Sequence, residues 1–384
     1  MSVTFPRGFR ATGVAAGLKE SGKSDVALVV NDGPHFSAAA VFTRNRIKAA
    51  PVLWSQQCLK NGMAKAVIIN SGGANACTGP DGFADTHHSA ELVAKLLGIG
   101  AIEVAVCSTG LIGKRLPMDK LTTGIHLAAA EISDQGGIAA ANAIMTTDSV
   151  PKLASFESTS GWRIGAMAKG AGMLAPGLAT MLVVITTDAN LDAMTADNAL
   201  RKATRLTFDR IDSDGCMSTN DTVLLLSSAA SGFTPEVTDF ESALTAVCLD
   251  LAAQLIADAE GATKEIKISV STAATESDAL EVARAVSRSN LLKCAIHGED
   301  PNWGRVLAAL GTTAAAFEPD GVDVYFNKVV VCRNGAALLS EPQVDLSHRF
   351  VEIDISLNSG SAEATLWTND LSPMYVHENS AYSS

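Results

Sequence analysis

Lys169-Gly-Ala-Gly-Met-Leu-Ala-Pro-Gly-Leu-Ala-Thr180-Met-Leu-Val-Val-Ile-Thr-Thr-Asp188 sets a loop of small residues directly against an apolar run. Pro176 fixes one backbone angle, Gly177 frees the next pair, and the methyl of Ala179 crowds the following peptide bond very little. Met181-Leu-Val-Val-Ile185 reads as a buried strand that anchors that bond. A threonine held there under strain has its hydroxyl poised to attack the carbonyl of Ala179. Hydrolysis of the resulting ester would leave residues 1–179 and 180–384 as two pieces of one fold. Thr180 would then own both a hydroxyl nucleophile and an α-amine, whose reference pKa of about 7.7 to 8.0 suits a base near neutral pH. Taken alone, a threonine opening a buried strand is usually structural.

Outward from this stretch, strands alternate with helices. Short strands are predicted at Val26–Asn31, Ala66–Asn70, Glu103–Cys107, Leu182–Thr186, Thr222–Leu226, Glu265–Val270 and Val322–Phe326, with a further strand-like run at Phe350–Leu357. Helical periodicity covers Ala90–Leu97, Ala193–Leu206, Phe240–Ala259, Asp278–Ser287 and Gly304–Leu310. The mixture gives an α/β or α+β fold, not a bundle or a sandwich. Weak boundaries fall at Ser227–Pro235 and Glu341–Ser347, and no short-period repeat is evident.

The chain has 384 residues, 47% of them hydrophobic, enough to bury a large core in one domain or two closely packed ones. Its formal charge of -12 argues against a general nucleic-acid or anionic-membrane surface. The early charges at Arg7, Arg10, Lys19, Glu20, Lys23 and Asp25 interrupt any secretory leader, and the apolar runs elsewhere read as too short to span a bilayer. The 7 cysteines are scattered without a CxxC pair or zinc spacing, which fits a reducing cytoplasm; Cys107, at the end of a strand, reads as buried.

Glycine-rich loops follow strands at Asn70-Ser-Gly-Gly-Ala-Asn-Ala-Cys-Thr-Gly79 and Ser108-Thr-Gly110, where backbone N–H groups can approach a ligand or an oxyanion. Neither matches a nucleotide-binding pattern, and the histidines form no HExxH motif, so no metal or cofactor is expected. His297 reads as structural.

An ordered set of segments resembles the ArgJ family, the glutamate N-acetyltransferases also called ornithine acetyltransferases. It runs from Gly8-Phe-Arg-Ala-Thr-Gly-Val-Ala-Ala-Gly17 through Ala40-Val-Phe-Thr-Arg-Asn45, the Asn70 loop and Cys107-Ser-Thr-Gly-Leu-Ile-Gly113. It continues with Ile144-Met-Thr-Thr-Asp148, the opening stretch, Ser218-Thr-Asn-Asp-Thr222, Glu260-Gly-Ala-Thr-Lys264 and Gly298-Glu-Asp-Pro-Asn-Trp-Gly-Arg305. Essentially the whole chain is covered.

The resemblance implies a DmpA/ArgJ-like α/β fold built jointly from two self-cleaved pieces, assembled from two copies of each. It implies that Thr180 takes an acetyl group from N2-acetyl-L-ornithine and passes it to L-glutamate. Thr109 and Gly110 match the oxyanion pair, where losing one donor commonly costs about 3 to 4 kcal/mol. Thr146, Lys169, Glu260, Asn379 and Ser384 match substrate-binding positions. Without the resemblance their plainer roles would be a structural hydroxyl, a surface lysine, a helix-end acid and a frayed tail.

The chain departs from the family pattern in places. Gly177 stands where asparagine is common and predicts slower self-cleavage; Leu178 replaces methionine; Cys216 and Met217 replace polar residues; Ser384 replaces threonine. Three alternatives accompany the preferred activity: a bifunctional relative also loaded from acetyl-CoA, an amidohydrolase or aminopeptidase, and a non-enzymatic structural or interaction protein.

Overall fold

In the computed structural model, which describes residues 1–175 and 181–381, the chain forms three sheets and their helical covers. Before the opening loop run β1 (Phe9–Val14), β2 (Val26–Asn31), β3 (Ser37–Phe42), α1 (Ala50–Cys58), β4 (Ala66–Asn70), α2 (Gly79–Leu97), β5 (Val104–Ser108), α3 (Met118–Glu131), α4 (Gly137–Ala143), β6 (Lys152–Glu157) and β7 (Arg163–Lys169). After it come β8 (Leu182–Thr187), α5 (Ala193–Leu206), β9 (Thr222–Ser227), α6 (Val237–Ala257), β10 (Glu265–Ala273), α7 (Glu276–Ser287), α8 (Asn290–His297) and α9 (Trp303–Leu310). The chain ends with β11 (Asp323–Phe326), β12 (Val329–Arg333), β13 (Ala336–Ala337), β14 (Phe350–Ser356), β15 (Ala362–Asn369) and α10 (Pro373–Ala381).

Two sheets stack as the middle of four layers. The first has the order β1-β2-β4-β5 and the second β3-β9-β8-β7-β6. Alternate residues divide their faces: Val26, Leu28 and Ile68 pack under α1, α2 and α3, whereas Ala27, Val29, Val67 and Ile69 meet Met167, Leu182, Val184 and Leu224 of the second sheet. The far face of that sheet, with Val183, Ile185, Val223 and Leu225, packs on α5 and α6. β2, β4, β5, β8 and β9 are buried along their whole length, as strands covered on both faces must be. The second sheet joins β3, β6 and β7, from before residue 179, to β8 and β9, from after it.

The third sheet, β13-β12-β11-β14-β10-β15, is packed on one face only. Its strands accordingly alternate buried and part-exposed residues, as in Glu265–Ala273, and their buried side meets α7, α8 and α9.

The predicted elements lie at or near their expected bounds, with three instructive differences. The helix expected at Ala90 begins at Gly79, because Pro80 occupies its first turn and polar Asp81, His87 and His88 mask the periodicity. The strands β1, β3, β6, β7, β12, β13 and β15 and the helices α1, α3, α4, α8 and α10 were absent from the expectations; β3 and β7 escape because Ser37-Ala-Ala-Ala-Val-Phe42 and Arg163-Ile-Gly-Ala-Met-Ala-Lys169 are rich in small residues of low strand propensity. The expectation of no run long enough for a bilayer is corrected: α6 has 21 residues and a mean hydropathy of 1.5. It is the core helix over the second sheet, burying Phe240, Leu244, Leu251 and Leu255 there.

Candidate active site

Strand ends deliver the site. Thr109 and Gly110 follow β5, Lys169 ends β7, and Ser218 to Asp221 lead into β9. Lys169 pairs with Leu182 across β7 and β8, so the chain between them is the connection of an antiparallel pair. Of the sequence-based candidates, Thr109, Gly110, Thr146, Lys169, Glu260 and Asn379 line one cavity of about 130 Å3. Ala179, Thr180 and Ser384, together with Gly177 and Leu178, lie outside the described residues.

Thr109 and Gly110 are held by close backbone packing. Gly110 has φ +129, and a Cβ there would lie 2.7 Å from the nitrogen of Gly73, so only glycine fits. Gly73 N–H donates to Thr109 O at 3.0 Å, locking the two glycine loops together. Asn70 accepts the Ser108 hydroxyl at 2.5 Å and donates to Gly73 O at 3.0 Å. Asn220 donates to Ala74 O at 2.6 Å and Ser108 O at 2.8 Å, tying the β9 approach to both loops. Gly110 N–H has no acceptor among the described residues.

Lys169 is not the surface lysine of its plainer reading: it is 2% exposed. Its ammonium donates to Thr109 Oγ1 at 3.3 Å, which makes that oxygen an acceptor and leaves the hydroxyl proton to point elsewhere. Burial lowers the Lys169 pKa below the ordinary lysine range, opposed first by Asp148.

Asp148 and Lys152 were given no role by sequence reasoning, yet they organise the site. Asp148 accepts N–H groups from Thr146 at 2.9 Å and Gly170 at 2.6 Å, and the ammonium of Lys152 at 2.6 Å. Lys152 also meets Asp258 at 2.5 Å, two residues before Glu260. One fully buried lysine thus joins the three segments that carry Thr146, Lys169 and Glu260. Burial alone would raise the Asp148 pKa, but Lys169, Lys152 and these hydrogen bonds outweigh it and bring the value to about 2. The sequence signal was Asp148 inside a recognised motif; the strand that Lys152 opens was not among those expected.

Glu260 N–H donates to Ala171 O at 2.9 Å, and Gly172 approaches the Glu260 carboxylate closely. α10 lies against the same wall: Asn379 Nδ2 donates to Glu260 Oε2 at 3.1 Å, and Tyr375 lines the cavity. Gly261, at φ +64, makes room for that helix, since a Cβ there would meet Tyr375 N at 2.2 Å. Asp214 and Cys216 also line the cavity. Asp214 accepts N–H groups from Met173 at 2.6 Å and Cys216 at 3.0 Å, and burial raises its pKa.

His297 bonds Asp370 at 2.7 Å at the end of α8 and is not part of the cavity wall. Cys107 is buried, and burial pushes its thiol up to about 12. No group of metal-binding side chains occurs among the described residues.

This geometry can offer Thr109 Oγ1 and Gly110 N–H as donors to a carbonyl oxygen, with Lys169 beside them. Glu260 and Asp214 present negative charge a short way off. The cavity therefore fits a zwitterionic ligand that carries an acyl carbonyl.

Comparison with known proteins points to one family. The ArgJ family model matches residues 10–384. The chain is 64% identical over 384 residues to an arginine biosynthesis bifunctional protein ArgJ of Streptomyces coelicolor, covering 100% of both. It is 56% identical over 389 residues to the protein of the same name in Mycobacterium tuberculosis, covering 100% of this chain and 96% of that one. A crystal structure of ornithine acetyltransferase complexed with ornithine, also from Mycobacterium tuberculosis, is 60% identical, with a TM-score of 0.46; the match covers 47% of this chain and 96% of that chain.

Proposed function

The chain belongs to the ArgJ family, and from that premise we propose that it transfers an acetyl group from N2-acetyl-L-ornithine to L-glutamate through an acetyl-threonine at Thr180. It is an acetyltransferase of arginine biosynthesis. The observation that carries the detailed reading is the buried contact of Lys169 with Thr109 beside Gly110, in one cavity with Glu260 and Asn379.

In the proposed reaction the chain first cuts itself between Ala179 and Thr180, and two copies of each piece assemble. Thr180 Oγ then adds to the acetyl carbon while its own α-amine takes the hydroxyl proton. Thr109 Oγ–H and Gly110 N–H stabilise the developing charge on the acetyl oxygen. Collapse expels the amine of ornithine, which takes the proton from the Thr180 ammonium. The amine of glutamate attacks the acetyl ester in turn and returns Thr180 Oγ to its hydroxyl form. Lys169 and Thr146 hold the carboxylate end of either amino acid, Glu260 holds an amine of ornithine, and Asn379 and Ser384 close on the amino-acid part. The scattered free cysteines support placing the reaction in the cytoplasm.

Intact mass spectrometry tests the reading. The expected result is two pieces split before Thr180, with one acetyl adduct on the second after incubation with N-acetylornithine, removed faster by glutamate than by water. An uncut chain, or cut pieces that never take an acetyl group, would sink it. The relatives' printed names include the word bifunctional, so acetyl-CoA replaces N-acetylornithine in a parallel arm; an adduct there establishes a second donor.

A further inference from the structure

Ornithine and glutamate carry opposite charges at the same place. Beyond Cα both have three side-chain carbons in all, and the side-chain oxygens of glutamate fall where ornithine has its side-chain nitrogen. The α-amine of N-acetylornithine is acylated, so the amine assigned above to Glu260 is that side-chain nitrogen. One point in the cavity therefore meets an ammonium from the acetyl donor and a carboxylate from the acceptor. A fixed charge beside it favours one substrate and opposes the other.

Asp214 supplies such a charge. It sits in the loop Asp212-Ser-Asp-Gly-Cys216 that precedes β9, and it lines the cavity together with Glu260. Its Oδ1 accepts the N–H of Cys216 at 3.0 Å, closing a turn two residues on, and its Oδ2 accepts the N–H of Met173 at 2.6 Å. Both oxygens are thus pinned to backbone. Glu260 approaches the same segment one residue earlier, where a Cβ on Gly172 would lie 2.5 Å from its Oε2. Standard bond lengths across the peptide joining Gly172 to Met173 then keep the two carboxylates no more than about 9 Å apart. That is about a Debye length, so one ligand group feels both charges. Tyr375 of α10 faces the pair: burial first, then Asp214, Cys216 and Glu260, push its hydroxyl pKa up.

Neither carboxylate has a cation bonded to it among the described residues. Lys293 of α8 is the cation that acts on Asp214, but its ammonium donates to Ser213 O and Thr368 Oγ1. Arg288, just past α7, bonds Asp212 at 2.7 Å. Burial accordingly dominates at Asp214 and raises its pKa. A carboxylate left short of a cation in a cavity wall attracts one from the ligand.

We infer that Asp214 sets the charge preference at the side-chain end of the cavity, favouring the ornithine ammonium and opposing the side-chain carboxylate of glutamate. The inference rests on the proposed reading in which both amino acids use this one site. Glu260 bonds the amine; Asp214 adds a second charge whose effect has opposite sign in the two half-reactions.

Asp214→Asn tests it, because asparagine keeps an oxygen for the Cys216 N–H and loses the charge. KM values for N-acetylornithine and glutamate are measured in wild type and variant, with the urea midpoint checking the fold. The KM for N-acetylornithine is expected to rise about tenfold and that for glutamate to fall about threefold. An aspartate that only holds the loop would move both in the same direction. Two KM values that shift together, or that both stay within twofold of wild type, overturn the inference. A wild-type protein that takes no acetyl group from N-acetylornithine overturns the proposed reaction instead. If the asparagine variant does not fold, Glu260→Gln isolates the same charge, since Asp214 is then the one carboxylate left in the cavity wall among the described residues. There the KM for N-acetylornithine is expected to be about tenfold below that for N-acetylnorvaline, which lacks only the side-chain amine. Equal KM values overturn the inference.

Discussion

Gly172→Ala is expected to weaken substrate binding while leaving the fold and the chemical step intact. A Cβ on Gly172 would lie 2.5 Å from Oε2, 2.6 Å from Cδ and 2.7 Å from Oε1 of Glu260, and these are the three nearest atoms. Comfortable contact needs about 3.5 Å, so the carboxylate must retreat by about 1 Å. It is the far end of a flexible side chain, and its movement costs little stability, below about 1 kcal/mol. A charge-assisted hydrogen bond to a ligand amine is worth about 1.5 to 3 kcal/mol. Losing roughly half of it raises the KM for N-acetylornithine about tenfold, with kcat nearly unchanged, because Thr109 and Gly110 are untouched. Steady-state kinetics and urea denaturation measure both quantities. A KM within twofold of wild type, in a stable variant, refutes the assignment of Glu260 to the substrate amine. A large loss of stability refutes the premise that only a mobile carboxylate stands in the way.

Ending the chain before Pro373 removes α10, which contains no fully buried residue, so the urea midpoint should hold while kcat/KM for acetyl transfer falls at least about tenfold, as Tyr375 and Asn379 leave the wall. Lys152→Met strands Asp148 and Asp258 without their shared cation, and equilibrium denaturation should register a loss of about 3 to 5 kcal/mol. Asp148 has a folded pKa depressed to about 2; its stabilisation is complete above about pH 4 and disappears as pH falls through about 2, so Asp148→Asn should flatten that acid limb by about 2 kcal/mol. Burial lowers the Lys169 pKa, so its charge is lost early on the alkaline side: KM for N-acetylornithine should rise with pH, and Lys169→Arg should remove that rise in binding measurements.

Where apolar periodicity was strong, the sequence was legible. Val26–Asn31, Ala66–Asn70 and Ala193–Leu206 match their expected bounds, because a strand covered on both faces and an amphipathic helix leave unmistakable patterns. β3 and β7 were invisible for a physical reason: two sheets stacked face to face need small side chains in places, and Ala and Gly carry no strand signal. The cavity was legible through motifs, since Thr109, Gly110, Thr146 and Lys169 belong to contiguous quoted segments. Its supports were not. Lys152, Asp258 and Asn220 each act across more than 100 residues, with Lys152 and Asp258 separated by 106 and Asn220 and Ser108 by 112. Such pairings depend on how strand ends converge, which no local pattern records.

The charges at the site explain why its supports must be so rigid. Lys169 is buried beside a cavity, where an unpaired ammonium is costly, and the charges that favour its protonated form are first Asp148 and also Glu260, on two different segments. Were either to drift outward, the Lys169 pKa would fall further below the ordinary lysine range. Lys152 prevents the drift of two segments at once by clamping Asp148 and Asp258, at the price of adding a second positive charge that disfavours Lys169. In the proposed reading a substrate carboxylate completes the pairing. Lys169, however, can still donate a hydrogen bond to Thr109 as a neutral amine. Under the roles proposed for the two residues, orientation of Thr109 would therefore outlast the charge that binds substrate, and binding and chemistry would separate in pH.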